Sequence, residues 1–278
     1  MKILITGAQG MLGQQLATVF ANHDLTLYDK EQLDITNADQ VEQKISSVRP
    51  DLVINSAAYN DVDACETNFN LAKSINADGP VNLAKTCQKI NATFIHYSTD
   101  YVFDGTKKEG YLESDTPNPI SKYGESKLLG ERALNFCDKC YIIRTSRLFG
   151  KPAISDGAKK SFVDVMVALS ESRDTLDVVD EELSNPTLVN DLATQTRLIL
   201  DGNYDYGIYH GVNEGACTWF TFAQEIFEIL AKNVTINPVT SSKFPRPASR
   251  PAFSSLLNTK SPKLRPWQDA LKEYLHIF

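Results

Sequence analysis

Apolar and polar positions follow two different periods along the first half of the chain. Short apolar runs typical of buried strands occupy residues 2–6, 25–28, 51–55, 93–97 and 141–145. Between them, apolar residues recur at helical spacing, over about 38–48 and 68–90 and at one face marked by Leu12, Leu16, Val19 and Phe20. Strands that alternate with helices predict an α/β fold, a doubly wound parallel sheet of the Rossmann kind.

The alternation loosens after about residue 150. Residues 151–160 read as a loop and 175–179 as a strand, while 241–266 is rich in Ser, Pro and Arg and reads as irregular. Further helices are predicted at about 161–172, 190–201, 218–231 and 267–276. We therefore expect an NAD(P)-binding Rossmann domain over 1–150. Residues 151–278 are expected to form mostly a small substrate-binding lobe, with part returning to the Rossmann sheet.

Composition narrows the possible partners. The 278 residues are 42% hydrophobic, enough for a sizeable core, and the formal net charge is -7. An acidic balance argues against a nucleic-acid partner or an anionic membrane, although a small anionic ligand can still be held by a few groups. The first apolar run is short, and no run approaches the length of a membrane span. The sequence therefore predicts a cytoplasmic protein.

The cysteines do not form a recognisable metal or disulfide pattern. There are five, and an odd, scattered set is typical of a reducing compartment. Cys137 and Cys140 have the CxxC spacing of zinc and redox sites, but no second pair or neighbouring histidine completes such a site. We interpret them as incidental thiols and predict no metal.

A glycine turn after the first strand indicates a nucleotide site. Gly7, Gly10 and Gly13 follow the strand and open a helix. Glycine allows backbone to approach a pyrophosphate closely, and the helix N-terminus supplies free N–H donors. The spacing departs from the usual G-x-G-x-x-G, so a purely structural turn is the alternative; the position after the first strand favours the cofactor site.

Polar and small residues follow the next two strands. Asp29 ends the second strand, where a carboxylate can accept both ribose hydroxyls of an adenosine and would repel a 2′-phosphate. Lys30 weakens that preference, so NADH and NADPH both remain open, as does a simple loop-starting role for Asp29. Asp34 and Ile35 lie in the loop expected over the adenine, and small residues at 55–59 let backbone run close to a ligand.

One stretch predicts the chemistry. Tyr123 and Lys127 are four residues apart, so on a helix they share a face. An ammonium near a phenol is expected to lower the phenol pKa and make it a proton donor near neutral pH. Such a pair also occurs by chance on helix surfaces, but Thr99 follows the fourth strand and can polarise a carbonyl beside Tyr123. We therefore predict that Thr99, Tyr123 and Lys127 are catalytic.

In this order, the motifs resemble the extended short-chain dehydrogenase/reductases and, in detail, the dTDP-4-dehydrorhamnose reductases. The resemblance covers essentially the whole chain, with its most specific run at 96–105. Other matching runs are 33–36, 55–59, 62–63, 123–127, 144–146, 186–187, 191–193 and 207–210. In the C-terminal part the matches are Trp219, Phe222-Ala223, Arg250-Pro251 and Ser254.

The resemblance implies a reaction and a set of contacts. A 6-deoxy-4-keto hexose linked to dTDP would be reduced at C4 by NADH or NADPH. Thr99 and Asp100 would face the sugar. The cofactor would lie on the glycine turn and the loops that follow it, at Gly10, Met11, Leu12, Asp29, Asp34, Ile35, Ala57, Ala58 and Tyr59.

Some positions depart from the family pattern. Arg147 stands where the family usually has a tryptophan that packs on the substrate, and a charged fork there can reach a diphosphate or indicate a different sugar. Asn185 and Leu257 replace the usual Gly and Asp. Arg250, in a proline-rich segment, is predicted to bind substrate with Arg147. Arg246 is equally well explained as a solvated surface residue.

Other functions stay open. A regulatory NADP-binding subunit resembling the methionine adenosyltransferase β subunit need not keep the catalytic residues. An epimerase would hold NAD tightly, while a 4,6-dehydratase needs an acid where this chain has Tyr101. A monomer and a homodimer are both expected possibilities. Some relatives dimerise through a metal held by acidic residues near the first helix, but Gln14 and Gln15 stand there, and we predict no such metal.

Overall fold

A twisted parallel sheet organises the protein. The computed structural model describes residues 1–155 and 159–276, so part of the predicted 151–160 loop lies outside the described residues. Within these ranges the main sheet has six strands in the order β2-β1-β3-β4-β5-β9. Across the same ranges, two further sheets have two strands each, β7 with β10 and β6 with β8. The strands of the three sheets are β1 (Lys2–Thr6), β2 (Asp24–Tyr28), β3 (Leu52–Asn55), β4 (Thr93–Thr99), β5 (Cys140–Thr145), β6 (Leu148–Phe149), β7 (Thr175–Val179), β8 (Thr187–Leu188), β9 (Gly207–His210) and β10 (Thr235–Val239).

Helices cover both faces of this sheet. The helices of the described ranges, including those of the C-terminal part that pack elsewhere, are α1 (Met11–Val19), α2 (Ala38–Val48), α3 (Ala64–Thr67), α4 (Phe69–Lys73), α5 (Gly79–Ile90), α6 (Lys122–Gly130), α7 (Phe162–Leu169), α8 (Val189–Asp201), α9 (Trp219–Ile229) and α10 (Trp267–His276). Successive strand residues point to opposite faces. Ile3 and Ile5 therefore join the core under α1 and α8, while Leu4 joins the core under α2 and α5. The predicted fold class is confirmed.

The predicted helical region over 68–90 is confirmed, but it is not one regular α-helix. The structure breaks it into α4, a π-helical turn (Ser74–Asp78) and α5, with α3 preceding them. The buried side chain of Asn76 lies in the π turn. It donates to Tyr59 O and Ser126 Oγ, each at 3.0 Å, and accepts from Tyr59 N at 2.8 Å. Tertiary hydrogen bonds thus favour a local bulge that apolar spacing does not reveal.

The C-terminal part both returns to the sheet and builds a second core. β9 pairs with β5, and α8 packs against α1 on the main sheet. A separate sheet of β7 and β10 is covered by α9, and its core includes Phe149, Phe222 and Trp267. Neither β9 nor β10 was among the predicted strands; β10 is mostly exposed and contains Pro238, which weakens a strand pattern.

The helices of the described ranges are all short or amphipathic. Among residues 1–155 and 159–276, no helix combines the length and the apolar character that a membrane crossing requires.

Candidate active site

The glycine turn lies where the strand order reverses, between β1 and β3. Gly7 has a φ of +65°, and a Cβ there would be 2.6 Å from Ala57 N. A Cβ on Gly13 would be 2.2 Å from Gly7 O. Side chains are therefore excluded from this point, and backbone lines the crevice at the carboxyl edge of the sheet, as dinucleotide sites require.

The N-terminus of α1 is open toward this crevice. Gly10 precedes the helix and gives it no side-chain cap. The first intrahelical bond runs from Gln14 N to Gly10 O. The backbone N–H groups of Met11, Leu12 and Gly13 therefore have no helical acceptor, and they carry the positive end of the helix dipole. A pyrophosphate needs such donors, so the residues of this turn fit a dinucleotide cofactor.

The acidic residue after β2 is already oriented by the backbone. Asp29 Oδ2 accepts from Gln9 N at 3.0 Å, and Oδ1 accepts from Lys30 N at 2.8 Å. Each oxygen keeps a lone pair for a ribose hydroxyl. Asp34 Oδ1 accepts from the backbone and hydroxyl of Thr36, and Ile35 is buried beneath α5. Contact of these residues with a cofactor stays a prediction.

The segment from Ala57 to Tyr59 connects the cofactor crevice to the helix that carries Tyr123. Ala57 N donates to Asn55 Oδ1 at 3.1 Å, so the loop starts in a fixed direction. Asn76 then holds the backbone of Tyr59 and the side chain of Ser126 together. The predicted cofactor loop and α6 are thereby fixed relative to one another.

Tyr123 lies in the first turn of α6, beside Thr99. Ser121 caps the helix by accepting from Gly124 N at 3.2 Å. A Cβ at Gly124 would be 2.1 Å from Tyr101 O, so glycine allows the helix to pack onto the segment after β4. The Thr99 hydroxyl lies close enough to the Tyr123 phenol to lower its pKa. The structure thus brings together two of the three residues predicted to be catalytic.

The expected lowering of the tyrosine pKa is wrong for this structure. Burial, with Asp100 and Tyr101 nearby, raises the pKa of Tyr123, although the Thr99 hydroxyl opposes that rise. Lys127 is buried, and its Nζ donates to Tyr97 O at 2.6 Å. Burial lowers the pKa of Lys127 to about 8, and the charge of Glu131 partly opposes this shift. The phenol is therefore a neutral acid that keeps its proton.

Glu131 is a residue that sequence reasoning missed. Its Oε1 accepts from Ser98 Oγ at 2.7 Å and from Arg144 Nε at 2.8 Å, and its Oε2 accepts from Arg144 Nη2 at 2.7 Å. Ser98, Glu131 and Arg144 are all buried. Because Glu131 lies four residues after Lys127, this ion pair ties the end of α6 to β4 and β5 directly behind the predicted catalytic residues. The K-x-x-x-E spacing was the available signal.

Asp100 is held by groups from three parts of the chain. Its Oδ1 accepts from Thr99 Oγ1 at 3.0 Å, and its Oδ2 accepts from Ser254 Oγ at 2.6 Å. A further hydrogen bond comes from Ser146, and burial raises the pKa of Asp100. The carboxyl group is therefore fixed beside Thr99 and Tyr123, and its contact with a sugar stays a prediction.

A crevice of about 750 Å³ opens in the C-terminal part of the chain. Segments 180–183 and 241–253 supply most of its walls, and Arg246 and Arg250 line it. Arg246 pairs with the buried carboxylate of Glu182, which also accepts from Trp219 Nε1 at 2.9 Å. Tyr123 does not line the crevice. Glu182 was not identified from the sequence.

Arg147 is committed to contacts within the protein. Its Nη1 donates to Cys217 O at 2.8 Å, and its Nη2 donates to Glu182 O at 2.7 Å. The guanidinium lies 3.9 Å from the centre of the Trp219 ring. It therefore supports the segments under the crevice, and direct contact with a substrate stays a prediction. Trp219 begins α9 and packs on Phe162, with ring centres 4.5 Å apart.

Arg250 is paired with Asp63. Two parallel hydrogen bonds of 2.7 Å join its Nη atoms to the two oxygens of that carboxylate. The pair lies where a wall of the crevice meets the loop after β3.

Other polar candidates have structural contacts. His96 Nδ1 and Asn55 Nδ2 are 3.0 Å apart in the core, and His210 Nδ1 is 3.0 Å from Leu257 O. The five cysteines are free and buried. Across the described ranges, no group of three or more His, Cys, Asp or Glu side chains is arranged to hold a metal ion.

Comparison with known proteins gives consistent results along the whole chain. The family model described as "RmlD substrate binding domain" matches residues 1–278. The chain is 38% identical over 291 residues to a dTDP-4-dehydrorhamnose reductase of Aggregatibacter actinomycetemcomitans, covering 98% of this chain and 97% of that protein.

Solved structures of reductases with the same name have the same architecture. The one from Clostridium acetobutylicum has a TM-score of 0.93 at 40% identity, covering 100% of this chain and 99% of that one. The one from Bacillus anthracis, described in complex with NADP, has a TM-score of 0.94 at 36% identity with the same coverage.

Proposed function

Because the chain belongs to the dTDP-4-dehydrorhamnose reductase family, we propose that it reduces the C4 keto group of a nucleotide-linked 6-deoxy-4-keto hexose with NADH or NADPH. The preferred substrate is dTDP-4-dehydro-L-rhamnose, and the product is dTDP-L-rhamnose. The placement of the Tyr123 phenol beside Thr99, with Lys127 one helical turn away on α6, is the observation that carries the proposal. Free cysteines support a reducing cytoplasm, where the protein works as a monomer or homodimer.

The cofactor is proposed to lie along the carboxyl edge of the sheet. The free N–H groups at Met11, Leu12 and Gly13 would hold the pyrophosphate, with Gly7 and Gly10 leaving room for it. Asp29 would accept from the adenosine ribose, with Asp34 and Ile35 beside the adenine. Ala57, Ala58 and Tyr59 would line the path toward the nicotinamide. When bound, the reduced nicotinamide supplies the hydride that reaches C4.

The protein residues supply the proton and the orientation. Tyr123 would give its phenolic proton to the C4 oxygen as that oxygen gains negative charge. Lys127 would stabilise the phenolate that remains, since it lies one helical turn along α6 and its buried ammonium is weakly screened by water. Thr99 would orient the carbonyl oxygen from the other side. The high pKa of the phenol keeps the proton in place until the hydride arrives.

The rest of the substrate is proposed to extend into the lobe of residues 151–278. Asp100 would accept from a sugar hydroxyl. Arg250 and Arg246 line the crevice, and their forks suit the diphosphate of a sugar nucleotide. Arg147 would contact the substrate between its sugar and its diphosphate, while it keeps its bonds to Cys217 O and Glu182 O.

The first prediction tests the reaction itself. Addition of dTDP-4-dehydro-L-rhamnose to the protein is expected to oxidise one equivalent of NADH or NADPH per sugar. The absorbance of the reduced nicotinamide measures this, and nucleotide-linked 4-keto sugars that differ in sugar or base show how far Arg147 alters the range. A matched reaction without sugar serves as the control.

Two outcomes would contradict the reductase assignment. Absence of turnover on every keto sugar, with a tight protein partner in a pull-down, would favour a regulatory subunit. Stoichiometric NAD retained through purification, with interconversion of sugars and no net oxidation, would favour an epimerase.

A second prediction concerns pH. Burial disfavours the charged form of Lys127, so the ammonium is lost as the pH rises through about 8. Above that pH a neutral amine can no longer stabilise the phenolate, and kcat/KM is expected to fall about tenfold per pH unit on this alkaline limb. A profile from pH 6 to 10 measures it, and a flat profile to pH 10 would contradict the role of the ammonium.

A further inference from the structure

We propose that Asp63 is a positioning residue for the nucleotide part of the substrate, which it serves by holding Arg250 and the loop of residues 245–250 against the Rossmann part of the chain. The inference rests on the proposed function, because it assumes an anionic nucleotide in the crevice. It gives a role to a residue that has no part in hydride or proton transfer.

The side-chain hydrogen bonds of Asp63 are all made with this loop. Oδ1 accepts from Arg250 Nη1 at 2.7 Å and from Ala248 N at 3.1 Å, while Oδ2 accepts from Arg250 Nη2 at 2.7 Å. Arg250 Nη1 also donates to Ala248 O at 2.7 Å. One carboxylate therefore fixes both the side chain of Arg250 and the backbone two residues before it.

This contact joins parts of the chain that are far apart in sequence. Asp63 directly precedes α3, on the loop after β3, and Arg250 is 187 residues further on. The loop of residues 245–250 forms one wall of the crevice. Its other arginine, Arg246, is held from a different side by Glu182. Each guanidinium on this wall is therefore oriented by a separate carboxylate.

The geometry leaves part of Arg250 free for a ligand. A guanidinium has five N–H donors in a rigid fork. Both hydrogens on Nη1 and one on Nη2 are used by Asp63 and Ala248, which leaves Nε–H and the second Nη2 hydrogen. These two donors lie on a side chain that is only 11% exposed and lines the crevice. Phosphate oxygens are the acceptors that such a pair of donors suits best.

A purely structural role explains the pair less well. The Asp63 side chain is 34% exposed, so water screens this side of the pair and reduces its contribution to folding. The bond to Arg250 lowers the pKa of Asp63 to about 2, so the carboxylate stays charged throughout the working range. The energetic effect of the pair is therefore expected in the affinity for the nucleotide rather than in stability.

The same loop offers a matched control. Asp61 lies two residues earlier, and its carboxylate pairs with Lys159, whose side chain is 64% exposed. It also accepts from Ala64 N, a contact that asparagine can keep. Asp61→Asn removes the same charge from the same loop without touching Arg250.

The test compares the two variants by calorimetric titration with dTDP and by steady-state kinetics. Asp63→Asn is expected to raise the Kd for dTDP and the KM for the keto sugar about tenfold or more, because Arg250 loses its charged partner. The kcat, the KM for the cofactor and the Tm should stay close to those of the parent, and Asp61→Asn should change none of these values. Arg250→Lys, which keeps charge and loses the fork, should raise the same two constants.

The outcomes separate this inference from the proposed function. Unchanged dTDP affinity in Asp63→Asn, or a parent protein that binds neither dTDP nor UDP, would overturn it. Loss of kcat and Tm in proportion to the rise in KM would also overturn it, in favour of a structural role. If the parent protein binds dTDP but reduces no keto sugar, the proposed function is wrong. The dTDP affinities of the parent and of Asp63→Asn would still decide whether Asp63 positions Arg250.

Discussion

Replacement of Tyr123 by phenylalanine is expected to lower kcat about 10²- to 10⁴-fold, the range typical of a lost general acid. The change removes the Tyr123 hydroxyl, which lies beside Thr99 on a side chain that shares a helix face with Lys127. The ring is retained, so packing against Tyr101 at 5.7 Å between ring centres should survive. Single-turnover reduction of the keto sugar measures the effect, with the Kd for NADPH and the Tm as checks on binding and folding.

Tyr101→Phe is the matched control for this experiment. It removes a neighbouring phenol that the proposed mechanism does not use, and the expected change in kcat is small. Full activity in Tyr123→Phe, or an equal loss in the two variants, would show that the proton comes from another group.

Glu131→Gln is expected to lower the free energy of unfolding by about 3–5 kcal/mol, as breaking a buried ion pair does when one charge remains. Arg144 is 1% exposed in its side chain and depends on Glu131 for two hydrogen bonds. Its Nη1 has no hydrogen-bond partner among the described residues, so no other acceptor replaces the carboxylate. Urea denaturation measures the loss. Joint replacement of Glu131 and Arg144 by methionine should recover most of it.

The same substitution should also move the activity profile. The charge of Glu131 opposes the lowering of the Lys127 pKa by burial. Without that charge, the alkaline limb of kcat/KM should shift to lower pH. Glu125→Gln on the same helix is the control, since Glu125 pairs with Lys122 in the open, at 42% and 44% exposure, and is expected to change stability by less than about 1 kcal/mol.

Local pattern was sufficient to predict five of the six strands of the main sheet and to single out the candidate catalytic residues. Apolar runs and glycine punctuation reflect burial and backbone conformation, which act over a few neighbouring residues. Tyr123 and Lys127 lie four residues apart on α6, and helical spacing alone predicts that they share a face. The family resemblance added the sugar nucleotide, which no spacing in this chain specifies.

The supporting carboxylates could not be predicted in this way. The Asp63–Arg250 and Glu182–Arg246 contacts join residues 187 and 64 positions apart, and many other acids in the chain would have suited either arginine. Which acid pairs with which arginine is decided by how the two parts of the chain pack. The effect of burial on the Tyr123 pKa is of the same kind, because it depends on the solvent excluded by the whole fold.

The amide of Asn76 has a consequence for how such a protein can diversify. It bonds to the backbone of Tyr59 on one side and to Ser126 of α6 on the other, so the loop proposed to line the cofactor path and the helix that carries Tyr123 are held in a fixed relative position. Substitutions in the lobe of residues 151–278 can therefore change which sugar or base is accepted. The distance between the proposed cofactor path and Tyr123 is expected to stay the same. New specificities in this scaffold are accordingly expected to arise far from Asn76.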